Sequence, residues 1–488
     1  MNICILYYIE NTSLKYLNWH DGFTKSIELL SNKYNIDMIN VYDNTNINFD
    51  KYNLIFFKES FNGKIYNKYK NNLKKKSLGL FISSSNIIPT DNVLKIYDIL
   101  FYETHWYYNY AKLHRHKNSI HAFGIDTDIM KKIDIQKEYD VIFVGNICNY
   151  KRPLKLLSIP GKKICLGFQS DKAIVKILKD NNVEIKDFVT YQELSSYYNK
   201  SKLAYIPCEI HGGGERAVLE ARSCNIEVKI ENDNNKLKEL INSQIYSSKY
   251  YAEQIEKGII FHILNNINNY TYENILSNLK YINLNVLEIG GMDGKTFDPL
   301  YNNLSNKWNV TILEPIYFQF KKLENNYKNR KNVFLINKAL NYHNKKEYMY
   351  TINEKSLINN NVPLWANGIS SFYNNRNSLG EEYWKTRGIV HQKNNLNYNS
   401  IRPHINKIEV ECITISEINL ENIHILQSDT EGFDYNVIKI VLSKYKPFII
   451  FFEWNNLPND ELDKLKILLS DYKTIYYKQD ALSILKNT

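Results

Sequence analysis

Cysteine is sparse and unpatterned in this chain of 488 residues: Cys4, Cys148, Cys165, Cys208, Cys224 and Cys412 include no C-x-x-C pair. Such pairs mark zinc sites and redox dithiols, and dense frameworks mark small secreted domains. Neither a zinc centre nor a disulfide scaffold is expected, and a reducing compartment fits. No apolar run approaches the 18 residues of a membrane span, and "MNICILYYIE" enters a strand-like run without a basic segment or cleavage site. The expectation is a cytoplasmic protein without a membrane span, in the host cytoplasm if the source is viral. Glycine is scarce too, 18 against 39 tyrosines, and with abundant Asn, Lys and Ile this reads as the product of an AT-rich genome. The net charge of +10 is spread along the chain with no basic cluster, so nucleic acid is not expected as a partner.

What is present is an ordinary globular balance, 44% hydrophobic and 23% charged, over a length that suits two or three domains. Short apolar runs ("NICILYY", "DMINVY", "YNLIFFK", "SLGLFIS") alternate with helical patterns. A second series opens at "YDVIFVGN" and a third at "NVLEIGG". This β-α-β rhythm predicts parallel sheets with helices on both faces, and no internal repeat stands out beyond it. Residues 353–407 break the rhythm, polar and aromatic over a length that suits a functional insertion.

In "VLEIGGMDG" a strand ends at Glu288 and is followed by Gly290, Gly291 and Gly294, where a ligand could approach backbone N–H groups. A second strand, "VTILEP", ends at Glu314, placed to accept from the vicinal hydroxyls of a ribose. "ILQSDTEGFDYNVIK" sets Asp429 and Glu431 between a strand and a helix, where they could hold a proton, an acceptor hydroxyl or a metal, or simply cap the helix. "PFIIFFEW" brings a fourth strand-end acid, Glu453.

From about Asn285 onward these motifs resemble the FkbM-type S-adenosylmethionine-dependent methyltransferases, with "KAL" (Lys338 to Leu340) in the place beside the adenine. The resemblance implies a Rossmann-like class I methyltransferase domain that methylates hydroxyl groups, often of sugars. It implies cofactor contacts from Glu288, Gly290, Gly294, Glu314, Ala339 and Leu340. Asp429 is the first choice for the base that takes the acceptor proton, with Glu431 and His391 behind it; no metal is required in this reading. The chain departs from the pattern at Ser428-Asp429 and in its long insertion, and the acceptor stays open.

In the first half, "CEIHGGGERAVLEARSCNIEV" runs a strand into three glycines and a helix, an anion-binding arrangement with Arg216 in the first turn and Glu220 one turn on. The plainer reading is a solvent-exposed Arg216–Glu220 pair. "FVGNICNYKRP" adds Gly145, Lys151 and Arg152 after another strand. Together with "AFGIDTDIM", these stretches resemble GT-B glycosyltransferases of a family-4-like or spore-maturation-like kind. That resemblance implies two Rossmann-like lobes and a nucleotide-diphosphate sugar held by Gly145, Lys151, Arg152, Gly213, Gly214, Arg216 and Glu220, with His105 facing the cleft as a catalytic candidate. The acid usual eight residues before Glu220 is Gly212 here, with Glu209 or Glu215 as substitutes, and Asn225 and Glu227 replace a glycine and a proline.

The expected α/β architecture is therefore a GT-B N-terminal lobe at 1–125, a nucleotide-sugar lobe at 126–262, a helical linker at 263–284 and a methyltransferase domain at 285–488. The expected function is a fused glycosyltransferase and sugar O-methyltransferase, with S-adenosylmethionine as cofactor, a nucleotide sugar as co-substrate and a glycan or glycoconjugate as acceptor. Two alternatives remain: an active methyltransferase with a degenerate, glycan-binding first half, and a basic RNA-binding methyltransferase.

Overall fold

The computed structural model describes residues 1–9, 21–43, 46–83, 86–267, 270–359, 362–386 and 398–486. The chain forms two compact units that divide between residues 266 and 267, inside the stretch read as a linker. The helix Ser248–Asn265 closes the first unit. The helix Tyr272–Leu279 opens the second, where Tyr272 stacks on Phe451 with ring centroids 4.1 Å apart.

The first unit holds two parallel sheets. β1 (Asn2–Tyr7), β2 (Asn35–Asn40), β3 (Leu54–Glu59), β4 (Ser77–Ile82), β5 (Ile99–Tyr102) and β6 (Ser119–His121) lie in the order β2-β1-β3-β4-β5-β6. β7 (Tyr139–Val144), β8 (Lys163–Leu166), β9 (Glu184–Lys186), β10 (Ser201–Ile206) and β11 (Glu227–Ile230) lie in the order β11-β10-β7-β8-β9. Strands such as LIFFKE and SLGLFI are apolar at successive positions because helices and loops cover both sheet faces. In β3, Leu54 through Phe57 are all buried, and Phe56 and Phe81 pack with centroids 5.1 Å apart. The helix Ser248–Asn265 returns to pack on the helix Gly22–Ser31 and on β5 and β6.

The second unit is built on a mixed sheet of seven strands. β12 (Leu284–Ile289), β13 (Trp308–Leu313), β14 (Val333–Ile336), β20 (Ile425–Ser428), β21 (Ile449–Glu453), β22 (Tyr472–Tyr476) and β23 (Asp480–Leu485) run in the order β14-β13-β12-β20-β21-β23-β22, with only β23 antiparallel to its neighbours. The fold class is thus Rossmann-like α/β throughout, as the sequence rhythm implies.

Two further apolar runs, EYMYTI and KIEVECI, form strands outside that sheet. β16 (Glu347–Ile352) and β18 (Ile405–Val410) pair antiparallel with each other and, with β17 (Ser370–Ser371), make a three-stranded sheet; β15 (Ala339–Leu340) and β19 (Cys412–Ile413) form a two-stranded one. The reason is visible in their burial: β18 keeps its residues partly exposed, unlike the doubly covered central strands. The insertion between them has its own core, in which Ile352, Val362, Ile369, Leu379, Trp384 and Ile401 pack together. Among the described residues no helix is long and apolar enough to cross a membrane.

Candidate functional site

Each unit carries a cleft at the carboxyl ends of parallel strands, the place where open α/β sheets bind ligands. In the second unit the cleft is lined from strand ends by Gly290, Glu314, Ala339, Leu340 and Asp429. The insertion supplies a wall of Gly368, Ser370 and Phe372. Gly290 has a left-handed φ of 87°, and a Cβ there would meet the Asp429 carbonyl oxygen at 1.9 Å, so only glycine lets β12 and β20 close at this point.

Glu314 is 5% exposed and accepts from the backbone N–H of Met292 at 2.8 Å and of Ile316 at 2.7 Å. It pins the glycine turn to the end of β13. Burial pushes its carboxyl up to about 8 against those two hydrogen bonds. Each oxygen keeps a second acceptor position for a ligand hydroxyl.

Two of the expected cofactor contacts lie elsewhere. Glu288 is 2% exposed and does not line the cleft; its Oε1 accepts from Gln427 Nε2 at 2.9 Å, while Oε2 has no hydrogen-bond partner among the described residues. The same Gln427 amide donates to Asp298 Oδ1 at 3.0 Å. Burial, then the charges of Asp298 and Asp429, raise the Glu288 carboxyl well above its ordinary range. Glu288 thus belongs to a buried polar group under the glycine turn, because its position in the pleat sends it into the sheet interior. Gly294 lies under the side chains of Leu323 and Tyr327, where it makes a tight turn against a helix.

Asp429, Glu431 and Glu453 converge, with carboxylate oxygens within 4.8 Å of one another. Asp429 is exposed to the cleft, yet desolvation of its carboxyl by the surrounding loop together with the charge of Asp434 raises it to about 7. Glu431 sits at φ 50°, in the left-handed region, and accepts from Asn456 Nδ2 at 3.0 Å and from Asn377 Nδ2. Asn456 also donates to Glu453 at 2.7 Å. Crowded carboxylates of this kind can share a proton or hold a cation. Neither Asp429 nor Glu431 caps the helix Asp434–Leu442, whose N-cap is Phe433 without a side-chain bond.

Several residues that support this loop were not legible in the motif. Asp434, fully buried, accepts from Ser428 Oγ at 2.6 Å. Arg376, from the insertion, holds Glu461 by two hydrogen bonds of 2.9 and 2.7 Å, donates to the Gly432 carbonyl and lies 3.7 Å from the Tyr373 ring centroid. Only the aromatic, aperiodic character of the insertion hints at such a role. His391 lies outside the described residues.

The cleft of the first unit is the larger of the two. The carboxyl ends of both sheets line it: Lys58, Ser83 and Glu103 from the first, Gly145, Gly167 and the Gly213–Ala217 turn from the second. Lys151 lies against both glycine turns; a Cβ added at Gly213 would sit 3.1 Å from its Nζ and one at Gly145 3.8 Å from it. Arg216 lines the same cleft but is engaged by Asp21 of the first lobe and lies 3.8 Å from Glu220.

Glu220 is 2% exposed, so the pair is no surface feature. Its carboxylate accepts from Tyr191 Oη at 2.8 Å and Tyr198 Oη at 3.3 Å, and burial raises its pKa against the Arg216 charge. Glu215 is paired with Lys236, a fully buried lysine. Burial opposes its ionisation, but the Lys236 charge wins and holds the carboxyl below its ordinary range.

Two other expectations shift. Arg152 does not line the cleft: at φ 52° it joins two tight turns, and its guanidinium meets Asp233 at 2.7 Å and Glu209 at 3.6 Å. His105 is exposed, with its ring stacked on His121 at 5.1 Å and its backbone N–H donated to Glu239 at 2.8 Å, and it too is absent from the cleft lining. The residues on the first sheet that do face the cleft, Lys58 and Glu103, were missed; their only signal is a charged residue at the end of an otherwise apolar strand.

The family model of the methyltransferase FkbM domain matches residues 288–476. No curated protein matches the chain. Among solved structures, a sucrose-phosphate synthase from Thermosynechococcus elongatus is 11% identical over 54% of this chain and 90% of its own, with a TM-score of 0.37. The Anabaena protein HepE in complex with UDP and glucose is 11% identical over 52% of this chain and 89% of its own, with a TM-score of 0.37. A fibrillarin/Nop5p complex is 11% identical over 46% of this chain and 78% of its own, with a TM-score of 0.23.

Proposed function

We propose that the chain is a bifunctional glycan-modifying enzyme, moving a sugar from a nucleotide-diphosphate donor and a methyl group from S-adenosylmethionine onto sugar hydroxyls. One observation carries this reading. Each unit has its own strand-end cleft in which a glycine turn stands beside a buried carboxylate, Gly213 and Gly214 with Glu220 in one, Gly290 with Glu314 in the other.

The residues of the second cleft fit S-adenosylmethionine: Leu313, Leu340 and Phe372 offer apolar faces to a base, and Glu314 keeps acceptor positions for vicinal hydroxyls. When bound, it supplies a methyl group on a sulfonium, activated for in-line displacement. Asp429, reachable from the cleft and raised to about 7, takes the proton of the acceptor hydroxyl. Glu431 and Glu453, bridged by Asn456, orient neighbouring hydroxyls of the acceptor. The same three carboxylates are the residues that could hold a divalent cation.

In the first cleft, Lys151 and the amino end of the helix Glu215–Ser223 favour a diphosphate, and Arg216 joins them once it leaves Asp21. Glu220 lies where a nucleoside hydroxyl can reach it. The test is calorimetry on the full chain with S-adenosylhomocysteine and with UDP and GDP. One nucleoside diphosphate and S-adenosylhomocysteine are expected to bind independently, and failure of both diphosphates removes the glycosyltransferase half.

Gly212 favours a second reading, in which the first unit holds a glycan without transferring sugar. A Cβ there would lie 2.9 Å from the Tyr150 carbonyl oxygen and 3.0 Å from that of Glu209, so the acid usual at this place has no room. Release of nucleotide from a sugar donor by the full chain separates the two readings.

A further inference from the structure

In the seven-stranded sheet β13 and β20 flank β12, so Glu314 and the loop of Asp429 stand on either side of the turn at Gly290. Residues 367–372 of the insertion touch all three places. Gln319 lies on the helix Tyr317–Tyr327, which begins just after Glu314, and its Nε2 donates to the Asn367 carbonyl at 2.5 Å and to Asn367 Oδ1 at 3.0 Å. A Cβ on Gly368 would lie 2.9 Å from the Sδ of Met292, the glycine-turn residue whose N–H Glu314 holds. Phe372 meets Phe433 edge to face, with centroids 4.8 Å apart, at the end of the Asp429 loop. Gly368, Ser370 and Phe372 present this segment to the cleft. Gln319 is only 2% exposed, and its Oε1 has no hydrogen-bond partner among the described residues. An amide is costly to bury for packing alone, so the two bonds to Asn367 are the physical reason for a glutamine here.

From this arrangement we infer that residues 367–372 are a strap over the bound cofactor and that Gln319 is the positioning residue that latches it. The inference rests on the reading of the second cleft as an S-adenosylmethionine site. A cofactor lying on the Gly290 turn, with its ribose at Glu314 and its methyl group towards Asp429, lies beneath a segment anchored on both sides of that turn. The far end of the strap is held independently of Gln319, by Phe433 and by the bond of 2.8 Å from Ser370 Oγ to Thr351 Oγ1. Ala366 and Ile369 belong to the insertion's own core. Losing the latch therefore frees one end of the strap and leaves the rest in place. Because the strap closes over a ligand already bound, the latch governs how long the cofactor stays and not how fast it arrives.

The test is stopped-flow binding of S-adenosylhomocysteine to the full chain. Gln319→Leu is expected to raise the dissociation rate by roughly 10- to 30-fold, as the loss of one or two hydrogen bonds implies, with association within about twofold of the parent. Asn367→Ala removes only the side-chain acceptor and keeps the carbonyl, so a rise of about three- to fivefold is expected. The double variant should dissociate no faster than Gln319→Leu alone, because both changes break one contact. Parental dissociation rates in the variants, slower association with dissociation unchanged, or additive effects in the double variant each overturn the inference. Should Gln319→Leu fail to fold, Asn367→Ala decides alone, and a parental dissociation rate there is fatal to the latch. A parent chain that does not bind S-adenosylhomocysteine overturns the underlying cofactor site instead.

Discussion

Arg216 on the second sheet's side of the first unit reaches the carboxylate of Asp21, so a cation that lines the first cleft is held by a protein acid. Asp21 is 5% exposed and its other oxygen caps a helix by accepting from the Thr24 N–H at 2.8 Å. Asparagine caps as well as aspartate, which isolates the ion pair from the cap. Asp21→Asn is therefore expected to tighten binding of UDP or GDP by several-fold, and Arg216→Ala to weaken it at least tenfold, both by calorimetry. Equal affinity in the parent and Asp21→Asn would falsify competition for Arg216.

Glu314 separates the two clefts experimentally. Glu314→Ala leaves the N–H groups of Met292 and Ile316 without their carboxylate, at about 1–3 kcal/mol for each unsatisfied donor. Loss of S-adenosylhomocysteine binding by more than about 100-fold is expected, with binding of nucleoside diphosphate unchanged. Loss of both would show that the two units do not act independently.

The crowded acids of the second unit set a pH dependence. Glu288 is raised well above its ordinary range, Glu314 to about 8, Asp429 to about 7 and Asp434 to about 6. A carboxyl with a raised folded-state pKa binds more protons folded than unfolded, so its contribution is full below the unfolded value and is lost as pH rises through the folded value. Urea denaturation without ligand should show the second unit losing stability between about pH 4 and pH 8. Glu288→Gln flattens that slope; a slope as steep as the parent's would count against Glu288 as a contributor.

Methyl transfer itself follows the opposite sense. Asp429 accepts a proton only when ionised, so kcat is expected to climb with pH through about 7 and then level. Asp429→Asn removes that limb and lowers kcat by roughly 10²- to 10⁴-fold while S-adenosylhomocysteine still binds. A rising limb that persists in Asp429→Asn assigns the base to another group.

Arg376 connects the insertion to the acid loop through Glu461 and the Gly432 carbonyl, and both partners of the ion pair are largely buried, at 13% and 14% side-chain exposure. Removing one partner of such a pair costs about 3 kcal/mol. Arg376→Ala should lower urea stability by that order and reduce kcat more than it raises KM for S-adenosylmethionine. Full kcat in that variant would mean the insertion does not position the loop.

The strand ends were legible because burial on both faces forces long apolar runs, and a charged residue or glycine after such a run stands out. Glu314, Asp429 and Gly213 were found in this way, and all line clefts. Glu288 has the same signature yet points under the glycine turn, since the pleat alternates faces and a run of apolar neighbours does not reveal which face is which. Arg152 follows Lys151 in a motif that looks uniformly basic, but its left-handed backbone turns it towards Asp233.

Local pattern alone determined the three successive α/β sheets, the late glycine turn at Gly290 and the strand-end carboxylates, because these depend on hydrophobic period and on backbone freedom within a few residues. What faces what across a cleft was decided only by the tertiary structure. Asp21 and Arg216 stand 195 residues apart, Arg376 and Glu461 stand 85 apart, and Glu103 follows a strand of a different sheet from the glycine turns with which it lines one cleft. Contacts of this kind arise from how sheets and insertions pack, and no periodicity in the chain encodes them.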